Sequence, residues 1–307
     1  MLEVALMIEG QNGLNWERWQ RIAGAVEDLG FVGLYRSDHF TNAQPPNIDS
    51  LELWVSLTWL ASHTRRIEFG QLVSPVSFRH PVFTARMAGA VDDLSGGRLN
   101  LGIGAGWQDR EHTMFGFDLL DIDQRFQRFD EALRVVTGLL QSAEPLSFDG
   151  TFYQLREASL LPRPRRPGGP PIVIGGNGRR RTLPLVARYG SEWNGVFLNA
   201  PKFAALNAHL DELVRAAGRS PASVRRTLMA GTVFGADEAQ LARKAAGRDL
   251  AELRERGVVC GPPAAVVEQL GQLAQAGVQR VMLQWLDLDD MNGLERLAHE
   301  VLPQVIA

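Results

Sequence analysis

Asp38 and His39 stand where a chain could do proton chemistry. They follow Phe31-Val32-Gly33-Leu34-Tyr35, an apolar run of the kind that forms a buried parallel strand. Together with Ser37 they fall where that strand leaves its sheet, which is where α/β folds place ligands. Histidine has an unperturbed pKa of about 6.5, so His39 can give or take a proton near neutral pH. The plain alternative is an Asp38 that caps a turn beside a His39 that merely packs. The company these residues keep at other strand ends favours chemistry.

That company is spread through the sequence: Val73-Ser74-Pro75 and Arg79-His80-Pro81, then Gly102-Ile103-Gly104-Ala105-Gly106-Trp107, then Gly175-Gly176-Asn177-Gly178 before Arg179-Arg180-Arg181, and last Gln284-Trp285. Glycines leading into a helix let backbone N–H groups approach an anion, so Gly175 to Gly178 suits a phosphate cradle; an ordinary βα turn is the competing reading. No Gly-Lys-Ser/Thr follows, which excludes a Walker loop. The Gly102, Gly104, Gly106 set lacks GxGxxG spacing. It reads either as backbone against which a flat ring lies, with Trp107 beside it, or as small residues filling a barrel wall.

Metal and disulfide chemistry find no support. The six histidines, His39, His63, His80, His112, His209 and His299, show no ligand spacing, and the single cysteine, Cys260, reads as a small loop residue. Asp287, Asp289 and Asp290 lack a calcium-loop pattern; a helix cap explains Asp290. Arg163, Arg165 and Arg166 read as a solvated connector.

The elements that must position these residues alternate along the chain. Strands are expected at 3–8, 31–35, 67–73, 99–104, 172–174, 193–197, 224–234 and 278–283. Helices are expected at 16–29, 50–62, 81–94, 123–140, 182–189, 201–217, 262–276 and 291–305. A hairpin at 146–155, a connector at 162–171 and a polar helical insertion at 237–256 fall outside the alternation. Eight strand–helix units predict a single (β/α)8 barrel domain over 1–307, with rim excursions near 145–170 and 237–260. A chain that is 45% hydrophobic can fill such a core. Its formal charge of −3 gives no footprint for nucleic acid, and no apolar run is long enough for a bilayer. The start at 1–8 carries no signal-peptide pattern, so a soluble cytoplasmic protein is expected.

Taken together, Ser37-Asp38-His39-Phe40, the segment Val73 to Pro81, the run Gly102 to Trp107 and Ile174 to Gly178 resemble the luciferase-like monooxygenase superfamily. More narrowly they resemble its deazaflavin-dependent branch, the enzymes using coenzyme F420. The resemblance runs from the first strand to 281–290, so it covers essentially the whole chain. Flavin mononucleotide (FMN) users share the same barrel, which makes FMN the alternative cofactor. The resemblance implies His39 as the active-site histidine, Asp38 as a cofactor-binding aspartate and Ser74 as a hydrogen-bond partner of the deazaflavin. It implies Ala105, Gly106 and Arg110 as wall and phosphate-side contacts, and Gly175, Gly176, Asn177 and Gly178 as the phosphate loop. It also implies a non-prolyl cis peptide, expected at Gln71–Leu72 behind the ring. Sugar-phosphate dehydrogenases of this branch carry a catalytic glutamate where this chain has Trp107. With Lys202 the one basic candidate for a sugar phosphate, that departure argues against sugar-phosphate oxidation.

The reading that follows is a hydride-transferring oxidoreductase for a small organic substrate, with His39 as proton partner and Trp107 and Trp285 shaping an apolar pocket. A two-component FMN monooxygenase and a cofactor-binding barrel without turnover are the alternatives. The apolar helix 50–62 leaves a homodimer open.

Overall fold

Apolar strand-forming runs alternate with amphipathic helices throughout the computed structural model, which describes residues 2–305. The strands are β1 (Glu3–Ile8), β2 (Gly33–Arg36), β3 (Glu68–Gln71), β4 (Ser74–Pro75), β5 (Leu99–Gly104), β6 (Leu146–Asp149), β7 (Gln154–Ala158), β8 (Ile172–Gly175), β9 (Glu192–Val196), β10 (Arg225–Phe234), β11 (Val258–Gly261) and β12 (Arg280–Gln284). The helices are α1 (Trp16–Asp28), α2 (Leu53–His63), α3 (Pro81–Ser95), α4 (Asp109–Phe115), α5 (Ile122–Gln141), α6 (Thr182–Tyr189), α7 (Ala200–Ala216), α8 (Glu238–Ala245), α9 (Leu250–Glu255), α10 (Pro263–Gln275) and α11 (Met291–Val305).

Parallel pairing runs β12–β1–β2–β3–β5–β8–β9, and β10 closes the ring by pairing with both β9 and β12. Two short pieces share the third barrel position. β3 pairs with the first half of β5 through Phe69 and Gly70, and β4 with the second half through Ser74 and Pro75. The expected eight-stranded barrel is therefore present. Its interior is packed by Ala5, Met7, Tyr35, Leu72, Val173, Met229 and Met282. A second, larger apolar layer, with Trp19, Phe69, Phe129, Trp193 and Phe203 fully buried, cements the helices to the outside of the strands. Burying each such side chain contributes roughly 1.5–3 kcal/mol.

Local chemistry sets the helix ends. Asn15 accepts the Arg18 N–H at the start of α1, and Asp121 accepts those of Asp123 and Gln124 at the start of α5. Asp290 accepts the Gly293 N–H, as a cap for α11 should.

Three features depart from expectation. The non-prolyl cis peptide lies at Leu72–Val73, one bond later than Gln71–Leu72. Gln71 still pairs with Arg36, and the Leu72 N–H still donates to the Arg36 carbonyl at 2.8 Å, so the regular strand runs one residue further before it breaks. The rim insertion is α8, α9 and an unexpected strand, β11, laid parallel on the outer half of β10. The four residues Val258–Gly261 are too few for a periodic signal, and tertiary pairing makes them a strand. Cys260 is thus a buried strand residue and not a loop residue. Finally, α4 was not expected. Its seven residues are shorter than a helical pattern needs for recognition.

No described helix is long and apolar enough to cross a membrane.

Candidate active site

The carboxyl ends of the barrel strands enclose a cavity of about 530 Å³, within the range of small-molecule sites. Leu72, Val73, Pro75, Met229 and Val196 give it apolar walls. Glu9, Ser37, His39, Glu111, Asn194 and Gln284 give it polar ones.

His39 follows β2 directly, as expected. Its Nδ1 lies 2.8 Å from Oε1 of Glu111, whose side chain is only 1% exposed. The other carboxylate oxygen of Glu111 accepts the Phe40 backbone N–H at 3.0 Å. The glutamate is therefore held from two sides, and it orients the imidazole so that Nε2 remains for the cavity. Burial by itself pushes the imidazole pKa down. The hydrogen bond and charge of Glu111, helped by the charges of Glu9 and Asp38, outweigh it and hold His39 above its ordinary value. Trp107 packs edge-on against the ring at 5.4 Å between centroids.

A second polar chain comes from the end of β1. Glu9 accepts from Gln284 Nε2 at 2.6 Å and from Gln11 Nε2 at 2.9 Å. Ser37 accepts the Gly10 N–H at 2.9 Å and donates to Gln11 Oε1 at 2.6 Å. These bonds fix an acidic group in the same cavity as His39.

Asp38 does not face the cavity. It is buried against Arg79 and the Ser74 hydroxyl, and Arg79 also reaches Glu52 at 3.0 Å. Burial pushes the Asp38 carboxyl above its usual value against the pull of Arg79 and Ser74. Asp38, expected as a cofactor-binding aspartate, and Ser74, expected as a hydrogen-bond partner of the deazaflavin, bond to each other, join β2 to β4 and are not among the residues lining the cavity. Gln71 is likewise fully buried, and neither polar atom of its side-chain amide has a hydrogen-bond partner.

Ala105, Gly106 and Trp107 do line the cavity. Gly104 also lines the cavity, whereas Gly102 does not, and both glycines make room for the protein's own chain. A Cβ on Gly102 would sit 1.9 Å from the Gln71 carbonyl oxygen, and one on Gly104 would sit 2.5 Å from Val73 Cγ2. These glycines admit the break between β3 and β4, and that break pushes Leu72 and Val73 into the cavity wall. Arg110 is not among the lining residues. Its guanidinium ties Thr41, Asn42 and Asn47 together at 2.6 to 2.7 Å.

The glycine loop after β8 divides its labour. Gly175 and Gly176 line the cavity, and Gly176 adopts φ +124°, which only glycine tolerates readily. Asn177 exchanges two hydrogen bonds with Val196, at 2.8 and 3.0 Å, and so extends the β9 side of the barrel. The Gly178 carbonyl accepts the N–H groups of Thr182 and Leu183 and starts α6. Beside this loop the buried Oδ1 of Asn194 has no hydrogen-bond partner. Trp285 lies outside this cavity; it lines a neighbouring one. Among the described residues no group of three or more His, Cys, Asp or Glu could hold a metal ion.

Glu111, Glu9 and Asn194 escaped the sequence reading. Glu9 follows β1 as His39 follows β2, so the same strand-end reasoning applied to the first strand would have found it. Glu111 sits on the short α4, and its partner is 72 positions away, so no local pattern marks it.

A closed barrel whose mouth holds a glycine cradle and a histidine–carboxylate pair defines a ligand-binding barrel of the enzymatic type. The chain belongs to the luciferase-like monooxygenase family, whose profile matches residues 3–257. It is similar to the F420-dependent glucose-6-phosphate dehydrogenase of Intrasporangium calvum, at 26% identity over 91% of each chain. It is also similar to the 4-hydroxyprotoasukamycin monooxygenase of Streptomyces nodosus subsp. asukaensis, at 31% identity over 58% of this chain; that match spans 47% of the monooxygenase. The structure of an F420-dependent secondary alcohol dehydrogenase in complex with an F420–acetone adduct superposes with a TM-score of 0.86 over 99% of each chain. At 17% identity that likeness speaks for the fold.

Proposed function

We propose that the protein is an oxidoreductase that uses coenzyme F420 to move a hydride to or from a small organic substrate, with His39 as proton donor or acceptor. The observation that carries this reading is the His39–Glu111 pair at the wall of a glycine-cradled cavity. Relatives of both dehydrogenase and reductase type that depend on F420 support it.

The residues present fit such a cofactor. Gly175 and Gly176 leave room where a Cβ would intrude, Leu72 and Val73 offer an apolar bed, and the unpartnered Asn194 Oδ1 offers an acceptor to a ring N–H. F420, when bound, supplies the hydride chemistry. The protein supplies the proton and its environment. Glu111 holds Nδ1 of His39 and keeps the imidazole charged to higher pH, so Nε2 is the atom that gives up or receives the proton. Trp107 and Phe197 at the rim limit access of water. Asp38, paired with Arg79, contributes by fixing the loop that carries His39.

The test is anaerobic incubation of the F420-loaded enzyme with panels of carbonyl compounds and alcohols, followed through the deazaflavin absorbance. Substrate-dependent oxidation or reduction is the expected result. Turnover only with reduced FMN and oxygen would instead favour a monooxygenase, the activity named for the Streptomyces relative. Binding of F420 without any turnover would mean a cofactor-binding barrel. A homodimer belongs to the same proposal: Val55 on α2 and Phe83 on α3 are 56% and 63% exposed, and a second copy would cover them.

A further inference from the structure

A second cavity, also about 530 Å³, opens beside the first at the carboxyl end of β10 and β12. The two share Phe197 and Gln284 as walls. Gln284 is held there by its bond to Glu9 at 2.6 Å. Phe197 is held there by an unusual backbone. It adopts φ +50°, rare for a bulky residue, and its N–H is bonded to the Met229 carbonyl at 2.9 Å. Gly257, at φ +80°, lets the chain pass so close that a Cβ there would lie 2.4 Å from the Phe197 carbonyl carbon. Non-glycine residues are strained in this region and cluster at ligand clamps. Here the strained residue is the partition between two chambers.

The second chamber is apolar on one side and cationic on the other. Trp285, Val233 and Leu253 form the apolar side. Lys244 is neutralised by Asp290 and lies 5.3 Å from the Trp285 ring centroid. Arg248 donates only to the carbonyls of Ala245 and Lys244. Neither Arg248 nor Arg256 meets a carboxylate among the described residues, although both line the chamber. Asp287 is the remaining acid of the lining, and its Oδ1 accepts the Asp289 N–H. The rim therefore has guanidinium capacity to spare above an apolar wall.

The geometry points to an outer substrate chamber, adjoining the cofactor cavity, for an organic anion with an apolar body. The anionic head meets Arg248 and Arg256, the body lies along Trp285 and Val233, and the reacting end passes between Phe197 and Gln284 to reach His39 and the cofactor in the first cavity. This inference rests on the assignment of the first cavity to F420. It also accounts for Trp285 lying outside that cavity.

The test is calorimetry of the whole protein with octanoate, octyl phosphate, octan-1-ol and octylammonium, each with and without F420. The anions are expected to bind about tenfold or more tightly than the alcohol and the ammonium, because a charge-assisted bond contributes that much. The tighter of the two anions identifies the head group. Added salt should weaken the anions and spare the alcohol. In the double variant Arg248→Gln/Arg256→Gln the preference should vanish while F420 affinity stays unchanged. Both arginines are exposed, and thermal unfolding checks that the variant folds. The inference is overturned by octylammonium binding as tightly as the anions, by a preference that survives the double substitution, by anions that displace F420, or by no binding of any probe. Anion binding with no F420 binding at all would instead overturn the cofactor assignment and leave the chamber standing.

Discussion

Replacing Glu111 by Gln removes a buried negative charge while preserving side-chain size, and it bears on stability and on proton transfer together. His39 loses a charge-assisted bond of 2.8 Å, a class of interaction that contributes roughly 1.5–3 kcal/mol. The sign follows from the direction of the shift. The folded-state pKa of His39 is raised, so the stabilisation is fully present below the unfolded value of about 6.5 and is lost as pH rises through the folded value. Wild type should therefore exceed the variant by the largest margin near pH 6. At alkaline pH, once His39 is neutral in the folded state as well, the gap should shrink to what the Phe40 N–H loses with its carboxylate partner. Urea unfolding at both pH values measures the gap. Histidine NMR titration should show the His39 pKa falling in the variant, because burial is then opposed only by the weaker pull of Glu9 and Asp38. An unchanged pKa, or a stability gap independent of pH, would refute the claim that Glu111 charges His39.

His39→Ala should lower the single-turnover hydride-transfer rate by roughly 10²–10⁴-fold and change F420 affinity far less; single-turnover kinetics at matched cofactor occupancy measure both. Gly176→Val forces a β-branched residue into φ +124° with its Cβ 3.4 Å from Thr182, so F420 titration should show weakened binding, with a stability loss of about 1–3 kcal/mol. Arg79→Met strands the buried Asp38 carboxylate, and chemical denaturation near neutral pH should reveal a loss of about 3–5 kcal/mol. That loss should ease towards acid pH, since the Asp38 pKa is already raised and protonation removes the unpaired charge. Phe83→Glu should convert a dimer to monomer in analytical ultracentrifugation; an unchanged sedimentation profile would place any dimer contact elsewhere.

The barrel was legible because its strands are continuous apolar runs and its helices long amphipathic ones, punctuated by residues such as Gly30 and Gly190. His39, Ala105, Gly106, Trp107, Gly175 and Gly176 were legible as cavity residues because each follows a strand, and strand ends converge. The sequence pattern could not tell a side chain that faces the cavity from its neighbour that faces away. Asp38 and His39 are adjacent, yet one pairs with Arg79 behind the wall and the other with Glu111 at it. Gly102 and Gly104 read either as a bed for a flat ring or as small wall residues; Gly104 does line the cavity, and both leave room for the protein's own Gln71 carbonyl and Val73. Arg110 looked free for a phosphate, but long-range bonds to the 41–47 loop occupy it. Such contacts join positions tens of residues apart, so no local spacing encodes them.

The measurement closest to the centre of this account is an anaerobic fluorescence titration of the purified protein with F420 and, separately, with FMN. The account predicts saturable binding of F420 in preference to FMN, weakened by Gly176→Val and little changed by His39→Ala. Binding of FMN with no binding of F420, or F420 binding indifferent to Gly176→Val, would contradict it.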